Sequence, residues 1–333
     1  MYFLLGISLF FALFFVLNLS ASALAAAIWR VLSPQVNYWS AQKCARISFT
    51  LRLLPTILAF VFGTAFLLPA YLLFEPYSTK EIVTIKLALP ALISAVGIGI
   101  ALFRVFASWR MTRRLVADWL ELSEQITIKN ISIPVYCIRH PFPVIAVVGA
   151  FRPRLFVARQ IFDSLSEEEF QAAIAHEYGH LVARDNLKRM LIGVCRDLLL
   201  VSCGRRLDRA WTETSEASAD EYAAHSGGEA TALSLASALV KVARIVPQGA
   251  SPAMPVGAFL MEAQTADINY RVRRLLQFTK KKNACAGQIW FGFSLSFWLS
   301  LGGFSAVILM LATNYRFLQN IHLGYEYIVN ILQ

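Results

Sequence analysis

Ser166-Glu167-Glu168-Glu169-Phe170-Gln171-Ala172-Ala173-Ile174-Ala175-His176-Glu177-Tyr178-Gly179-His180 is the stretch from which the rest of the chain is read. Ser166 followed three residues later by Glu169 forms a capping box, and acids in the first turn suit the positive end of the helix dipole. The acidic run needs no role beyond that cap. A helix starting there places His176 and His180 one turn apart on one face, so both imidazoles can reach a single metal ion. Glu177 lies beside them, free to take a proton from metal-bound water, which is the chemistry of an HExxH helix. The plainer alternative is a buried helix with two satisfied histidines. The motif's place within a helix, behind strands and in an apolar run, favours the metal.

Upstream, Ile131 to Ile138, Val144 to Val148 and Arg154 to Val157 read as short strands, β-branched and punctuated by Gly149 and Pro153. Downstream, the run Glu213-Thr214-Ser215-Glu216-Ala217-Ser218-Ala219-Asp220-Glu221 offers the third ligand that a catalytic zinc needs beside an open position. Glu216 and Asp220 stand one helical turn apart. Glu216 can complete the site, and Asp220 can orient a ligand imidazole. Glu213 and Glu221 compete for the ligand role, and His225 is a further option. Met190 to Gly204 is apolar in parts but holds Arg196 and Asp197, and charge near a bilayer centre is costly. It reads as an amphipathic helix packed on the domain or lying at the membrane interface, not as a span.

Composition supports a membrane setting. The 333 residues are 57% hydrophobic and only 16% charged, against about 25% charged in soluble domains. That excludes a disordered chain and argues against an ordinary cytosolic enzyme. Charge-free stretches predict four spans at about 2–29, 53–74, 87–103 and 289–312. Ala21-Ser22-Ala23 and Ala23-Leu24-Ala25 resemble signal cleavage sites, but the first run is too long and lacks a basic leader. Basic residues flank the spans on one side: Arg30, Lys43, Arg46, Arg52, Arg104, Arg110, Arg113, Arg114 and Lys280 to Lys282. The positive-inside rule then puts the N-terminus outside, 115–282 in the cytoplasm and the C-terminal tail outside. The net charge of +10 divides into +2 for 115–282 and +8 elsewhere, so it is mostly a topology label and no nucleic-acid partner is implied. The five cysteines are scattered and form no CxxC pair, so neither a disulfide framework nor a cysteine zinc site is expected.

HEYGH, the ExxxD pair Glu216 and Asp220, and the downstream Tyr270-Arg271-Val272-Arg273-Arg274-Leu275-Leu276 resemble the membrane-embedded gluzincin metallopeptidases. Within these, the wider run from Val148 to Asn186 looks like the BlaR/MecR type. HtpX-like and CAAX-prenyl peptidases are similar in HExxH…ExxxD but arrange their spans differently. The resemblance implies an α-helical membrane protein with an α+β cytoplasmic zincin-like metallopeptidase domain. Three transmembrane helices occupy 1–114, the zinc domain 115–282, and a fourth span with a short extracytoplasmic tail 283–333. The BlaR/MecR type carries a large extracellular penicillin-sensing domain after the fourth span, whereas about twenty residues follow it here. Direct β-lactam sensing is therefore not expected.

The resemblance further implies one Zn²⁺ per chain, held by His176, His180 and Glu216, with Glu177 as general base. Asp220 and Asp185 would orient the ligands, although Asp185 could equally cap the next helix or pair with Arg184. Tyr222, His225 and Arg271 are candidate oxyanion donors. The strand at Val144 to Val148, or the one at Arg154 to Val157, could take substrate as an added edge strand. The expected activity is an integral membrane zinc endopeptidase, multi-pass in the cell (inner) membrane. It would act on cytoplasmic or membrane protein substrates, in its sharpest form as a signalling peptidase cleaving a regulator such as a transcriptional repressor, with a sensor or regulatory partner in the bilayer. The alternatives are a quality-control protease for membrane proteins and a non-catalytic receptor retaining its zinc site.

Overall fold

The computed structural model describes residues 2–77, 83–128, 133–200, 203–245, 265–280 and 295–332. Helix α1 (Tyr2–Leu32) is followed by a continuous rod made of α2 (Ala41–Phe62), a π-helical turn (Gly63–Leu67) and α3 (Leu68–Phe74). Helix α4 (Ile85–Glu121) is the third long helix. By length and composition the helical stretches Tyr2–Gln35, Ala41–Phe74 and Ile85–Glu121, of 34, 34 and 37 residues, are apolar enough to cross a membrane. A polar contact ties the first two together: Thr56 donates to Asn18 Oδ1 at 3.2 Å, and Asn18 is fully buried. In an apolar bundle such a bond, together with close packing, holds helices together where the hydrophobic effect cannot. Helix α4 runs on past residue 114 to Glu121, so the third expected span and the sheet domain share one uninterrupted helix.

The sheet has four strands: β1 (Ser123–Ile126), β2 (Val135–Ile138), β3 (Ile145–Val148) and β4 (Arg154–Ala158), in the order β1-β2-β4-β3. β1 and β2 are antiparallel, β2 and β4 parallel, β3 and β4 antiparallel. The strand expected over Ile131 to Ile138 starts only at Val135; Ile131 and Ser132 lie outside the described residues. β1 was not expected from its residues, because Ser-Glu-Gln-Ile is polar and lies on the outer edge. Trp119, from the end of α4, packs with Phe156, Ile161, Phe170 and Ile174 in the core that joins sheet and helices.

Helix α5 (Arg159–Ser164) leads into α6 (Glu167–Ala183), the HExxH helix, which begins at the full Ser166/Glu169 capping box. Glu169 also receives Lys241 Nζ at 2.7 Å and Ser237 Oγ at 2.6 Å, fastening the start of α6 to α8 (Arg205–Ile245, broken at Gly228). Between them, α7 (Asp185–Leu199) packs on α2 and α4. It is not among the helices long and apolar enough to cross a membrane, and it rests on the long helices more than on the sheet. Its last turn fits against Gly97, where a Cβ would lie 2.7 Å from the Leu198 carbonyl oxygen. Arg104 pairs with Asp197, and the buried Arg52 pairs with Asp208, each at 2.7 Å. These two pairs fix α7 and α8 onto one end of the long helices.

Helix α9 (Thr265–Lys280) packs on α8. Of the fourth expected span, the described part is α10 (Leu295–Ala312), and the rest lies outside the described residues. The expected tail is a helix, α11 (Tyr315–Leu332), which returns to pack on α3. Leu318, His322, Tyr325 and Val329 form its buried stripe at the 4-3-4 spacing of an inward helix face.

Candidate metal centre

His176 and His180 extend from the same side of α6, with ring centroids 4.8 Å apart and planes at 89°. The partner helix α8 reaches them because Gly179 leaves room. A Cβ there would stand 3.2 Å from Ala219 Cα and 3.2 Å from Tyr222 Cβ. That crossing carries Glu216 onto the histidine pair: Glu216 Oε2 is 3.6 Å from His176 Nε2, and Glu216 Oε1 is 3.4 Å from His180 Nε2. The three residues offer ligand atoms all within 4.8 Å of one another. A tetrahedron with zinc bonds of about 2.0–2.1 Å has edges of about 3.3–3.4 Å. The two nitrogen–oxygen separations therefore already approximate edges of such a polyhedron, and the donor set of two imidazoles and one carboxylate suits zinc.

The competing acids are placed elsewhere. Glu213 is exposed. Glu221 accepts the Ala41 backbone N–H at 3.1 Å and pairs with Arg274, holding the start of α2. His225 is exposed on α8, with its Nδ1 against the Glu221 carbonyl and its ring against Phe278. Nine residues beyond Glu216, it sits about 13 Å farther along the helix, and the structure does not bring it to the pair.

Each histidine has a carboxylate behind it, in hydrogen-bond geometry at His180 and as an ion-pair contact at His176. His176 Nδ1 lies 3.0 Å from Asp220 Oδ1, and His180 Nδ1 lies 2.8 Å from Asp185 Oδ2. Asp185 reaches His180 because Arg184 adopts a left-handed conformation (φ 55°) that ends α6 and starts α7 at once. Of its possible roles, then, Asp185 contacts the metal-ligand candidate. Lys188 Nζ donates to its other oxygen at 3.3 Å. Asn186, the last residue of the family-like run, donates to the carbonyls of Val147 (2.8 Å) and Gly149 (3.2 Å) and ties α7 to β3.

Arg271 arrives from α9 and is buried. It donates to Asp220 through Nε at 2.9 Å and Nη2 at 2.7 Å, while Nη1 lies 3.2 Å from Glu216 Oε2. Nη2 is also 3.4 Å from His176 Nε2. Of the three expected oxyanion donors it is the one beside the ligand atoms, and both edges of its fork meet carboxylates. Tyr222 stacks loosely on Tyr178, 6.2 Å between centroids, and its phenol is pushed up by burial.

Charge balance follows from this packing. Burial disfavours an imidazolium at His180, but Glu216 and Asp185 outweigh it and hold the ring well above the usual histidine range. Burial likewise raises Glu216, and the two histidines and Arg271 outweigh it, leaving the carboxyl well below the usual range. Glu177 is different. Burial pushes it up, and the opposing pull of the histidines and of the Val147 N–H does not restore it. The site thus contains one carboxylate held ionised as a ligand and one with raised proton affinity, the pairing that hydrolytic acid–base chemistry requires.

β3 ends the strand order and β4 is interior, so of the two strands expected to take an added strand only β3 lacks a second strand neighbour among the described residues. The Val147 N–H faces Glu177 and its carbonyl faces Asn186, so the edge runs directly past the general-base candidate.

No curated protein matches the chain. Residues 119–207 match the family model of peptidase family M48, so the segment supplying His176, Glu177, His180 and Asp185 is similar to a metallopeptidase domain, while Glu216, Asp220 and Arg271 lie beyond the matched residues.

Proposed function

We propose that this protein is an integral membrane zinc endopeptidase with His176, His180 and Glu216 as ligands and Glu177 as general base. The observation that carries the reading is the convergence of two imidazoles and one carboxylate within 4.8 Å, beside a buried Glu177. Bound zinc would supply the Lewis acidity that activates water and polarises a peptide carbonyl. Asp220 and Asp185 hold the two rings in their ligating orientation through Nδ1. Glu177, with its raised proton affinity, takes the proton of the attacking water and returns it to the leaving amine. Arg271 keeps Asp220 and Glu216 ionised and is the nearest cationic donor for developing negative charge. An extended substrate would add along β3, with its scissile bond next to Glu177.

The substrates are proteins of the cytoplasm or membrane. In the sharper form, suggested by the BlaR/MecR-like run from Val148 to Asn186, the enzyme cleaves a regulator such as a transcriptional repressor. Its placement is multi-pass in the cell (inner) membrane, with the peptidase domain in the cytoplasm and both termini outside, which the basic flanks support. The test is Glu177→Gln in the reconstituted full-length protein. Zinc content should match the wild type while proteolysis and self-cleavage disappear, and the inactive variant should retain substrates for identification by mass spectrometry. Undiminished proteolysis would refute the mechanism.

A further inference from the structure

A second cluster with metal-ligating chemistry lies at the opposite end of the long helices. Ala41, at the start of α2, touches Glu221 near the zinc centre, whereas Glu75 caps the far end of the same rod. The rod spans 34 residues, about 50 Å of helix. There α11 brings His322 and Glu326, spaced i and i+4 like His176 and His180, against Glu75. The three offer ligand atoms within 4.8 Å of one another. His322 Nε2 is 3.1 Å from Glu326 Oε1, a nitrogen–oxygen approach comparable to those at Glu216.

The surroundings make this a built site and not a chance meeting of surface acids. Glu75 is 6% exposed and His322 8%. The imidazole is fixed by Phe74, 5.5 Å away between centroids, and by Tyr325, whose hydroxyl meets His322 Nδ1 and donates to Glu75 Oε2 at 3.2 Å. One side of the ring is thus held by a hydroxyl and the other turned toward a carboxylate, the arrangement that presents a histidine to a metal. Among the described residues, neither Glu75 nor Glu326 has a Lys or Arg ion-pair partner. A carboxylate buried in its ionised form is paired with a cation or ligates a metal.

We propose that Glu75, His322 and Glu326 bind a divalent transition cation of the zinc class, distinct from the one at His176. One imidazole nitrogen and two carboxylate oxygens suit such an ion, and its binding would clip α11 to the end of α3. The test is zinc stoichiometry. Full-length protein in micelles is stripped with chelator and dialysed against excess zinc, and zinc per chain is measured by elemental analysis. Wild type and Glu177→Gln should hold two, His322→Ala one, and His176→Ala one. Glu326→Gln, at a side chain 36% exposed and so tolerant of change, should also hold one if His322→Ala fails to fold. A single zinc in the wild type that is lost in His180→Ala, or two retained in Glu326→Gln, would overturn the proposal.

Discussion

Asp220→Asn separates the two jobs of that carboxylate. The substitution keeps the shape but removes the charge from a residue 3% exposed that meets His176 Nδ1 at 3.0 Å and Arg271 at 2.7 and 2.9 Å. Removing one partner of a buried pair destabilises by about 3–5 kcal/mol. Arg271 keeps Glu216 at 3.2 Å, so the lower end, about 3 kcal/mol, is expected for the metal-free protein. Loss of a carboxylate behind a ligand histidine lowers metal affinity about 10–100-fold, or roughly 1.4–2.7 kcal/mol. The assay is competition for zinc against a chromophoric chelator, on full-length protein in micelles, with thermal unfolding of the metal-free form alongside. Arg271→Gln serves as the control. It also breaks the buried pair and lowers stability, and it removes a contact to Glu216, but it leaves Asp220 on His176 and should lose less zinc affinity than Asp220→Asn. If Asp220→Asn binds zinc within about threefold of the wild type, or if Arg271→Gln loses as much zinc affinity as Asp220→Asn, the orienting role assigned to Asp220 is wrong.

Three further outcomes follow from the packing. Gly179→Val drives branched methyls into Ala219 and Tyr222, already 3.2 Å from a bare Cβ; it should destabilise by about 1–3 kcal/mol and release zinc on dialysis, and full zinc retention would show that α6 and α8 can separate without harm. Asp208→Ala strands the buried Arg52 guanidinium that it now meets at 2.7 Å, for a loss of about 3–5 kcal/mol in thermal unfolding; an unchanged melting temperature would contradict the clamp between α2 and α8. Burial raises the Glu169 carboxyl, but Lys241, Ser237 and the Ser166 N–H outweigh it and leave it below its usual 4.5. Its stabilisation is therefore complete above about pH 5 and is lost as acid passes 4.5 and then the folded value. Glu169→Gln should be less stable at neutral pH and lose less on acidification from pH 6 to 4, as followed by circular dichroism; an unaltered acid limb would remove Glu169 from the account.

Features that depend on neighbours in sequence were legible without the fold. The capping box spans three residues and the histidine pair four, so helix geometry alone brings Ser166 to Glu169 and His176 alongside His180. The long charge-free runs coincide with long helices because a stretch without charge has no other solvent to prefer. β1 escaped because Ser-Glu-Gln-Ile is too polar to announce a strand, and it is held by its pairing with β2. The helix after the fourth expected span escaped because its apolar stripe has meaning only against α3 and the start of α1.

What the sequence determined by itself is therefore the chemistry on offer: two imidazoles and a base on one helix face, acids downstream, and a membrane setting. Tertiary structure decided which acid meets the imidazoles. Glu213, Glu216 and Glu221 are chemically equivalent carboxylates on one helix, and only the rotation and close approach of α8 at Gly179 select Glu216, turning Glu213 to the exposed side and Glu221 to Ala41. It also decided that Arg271, 51 residues from Asp220, closes the site from behind, and that β3, not β4, ends the strand order of the described sheet. Contacts between distant segments are set by how whole faces pack, and no local spacing encodes them.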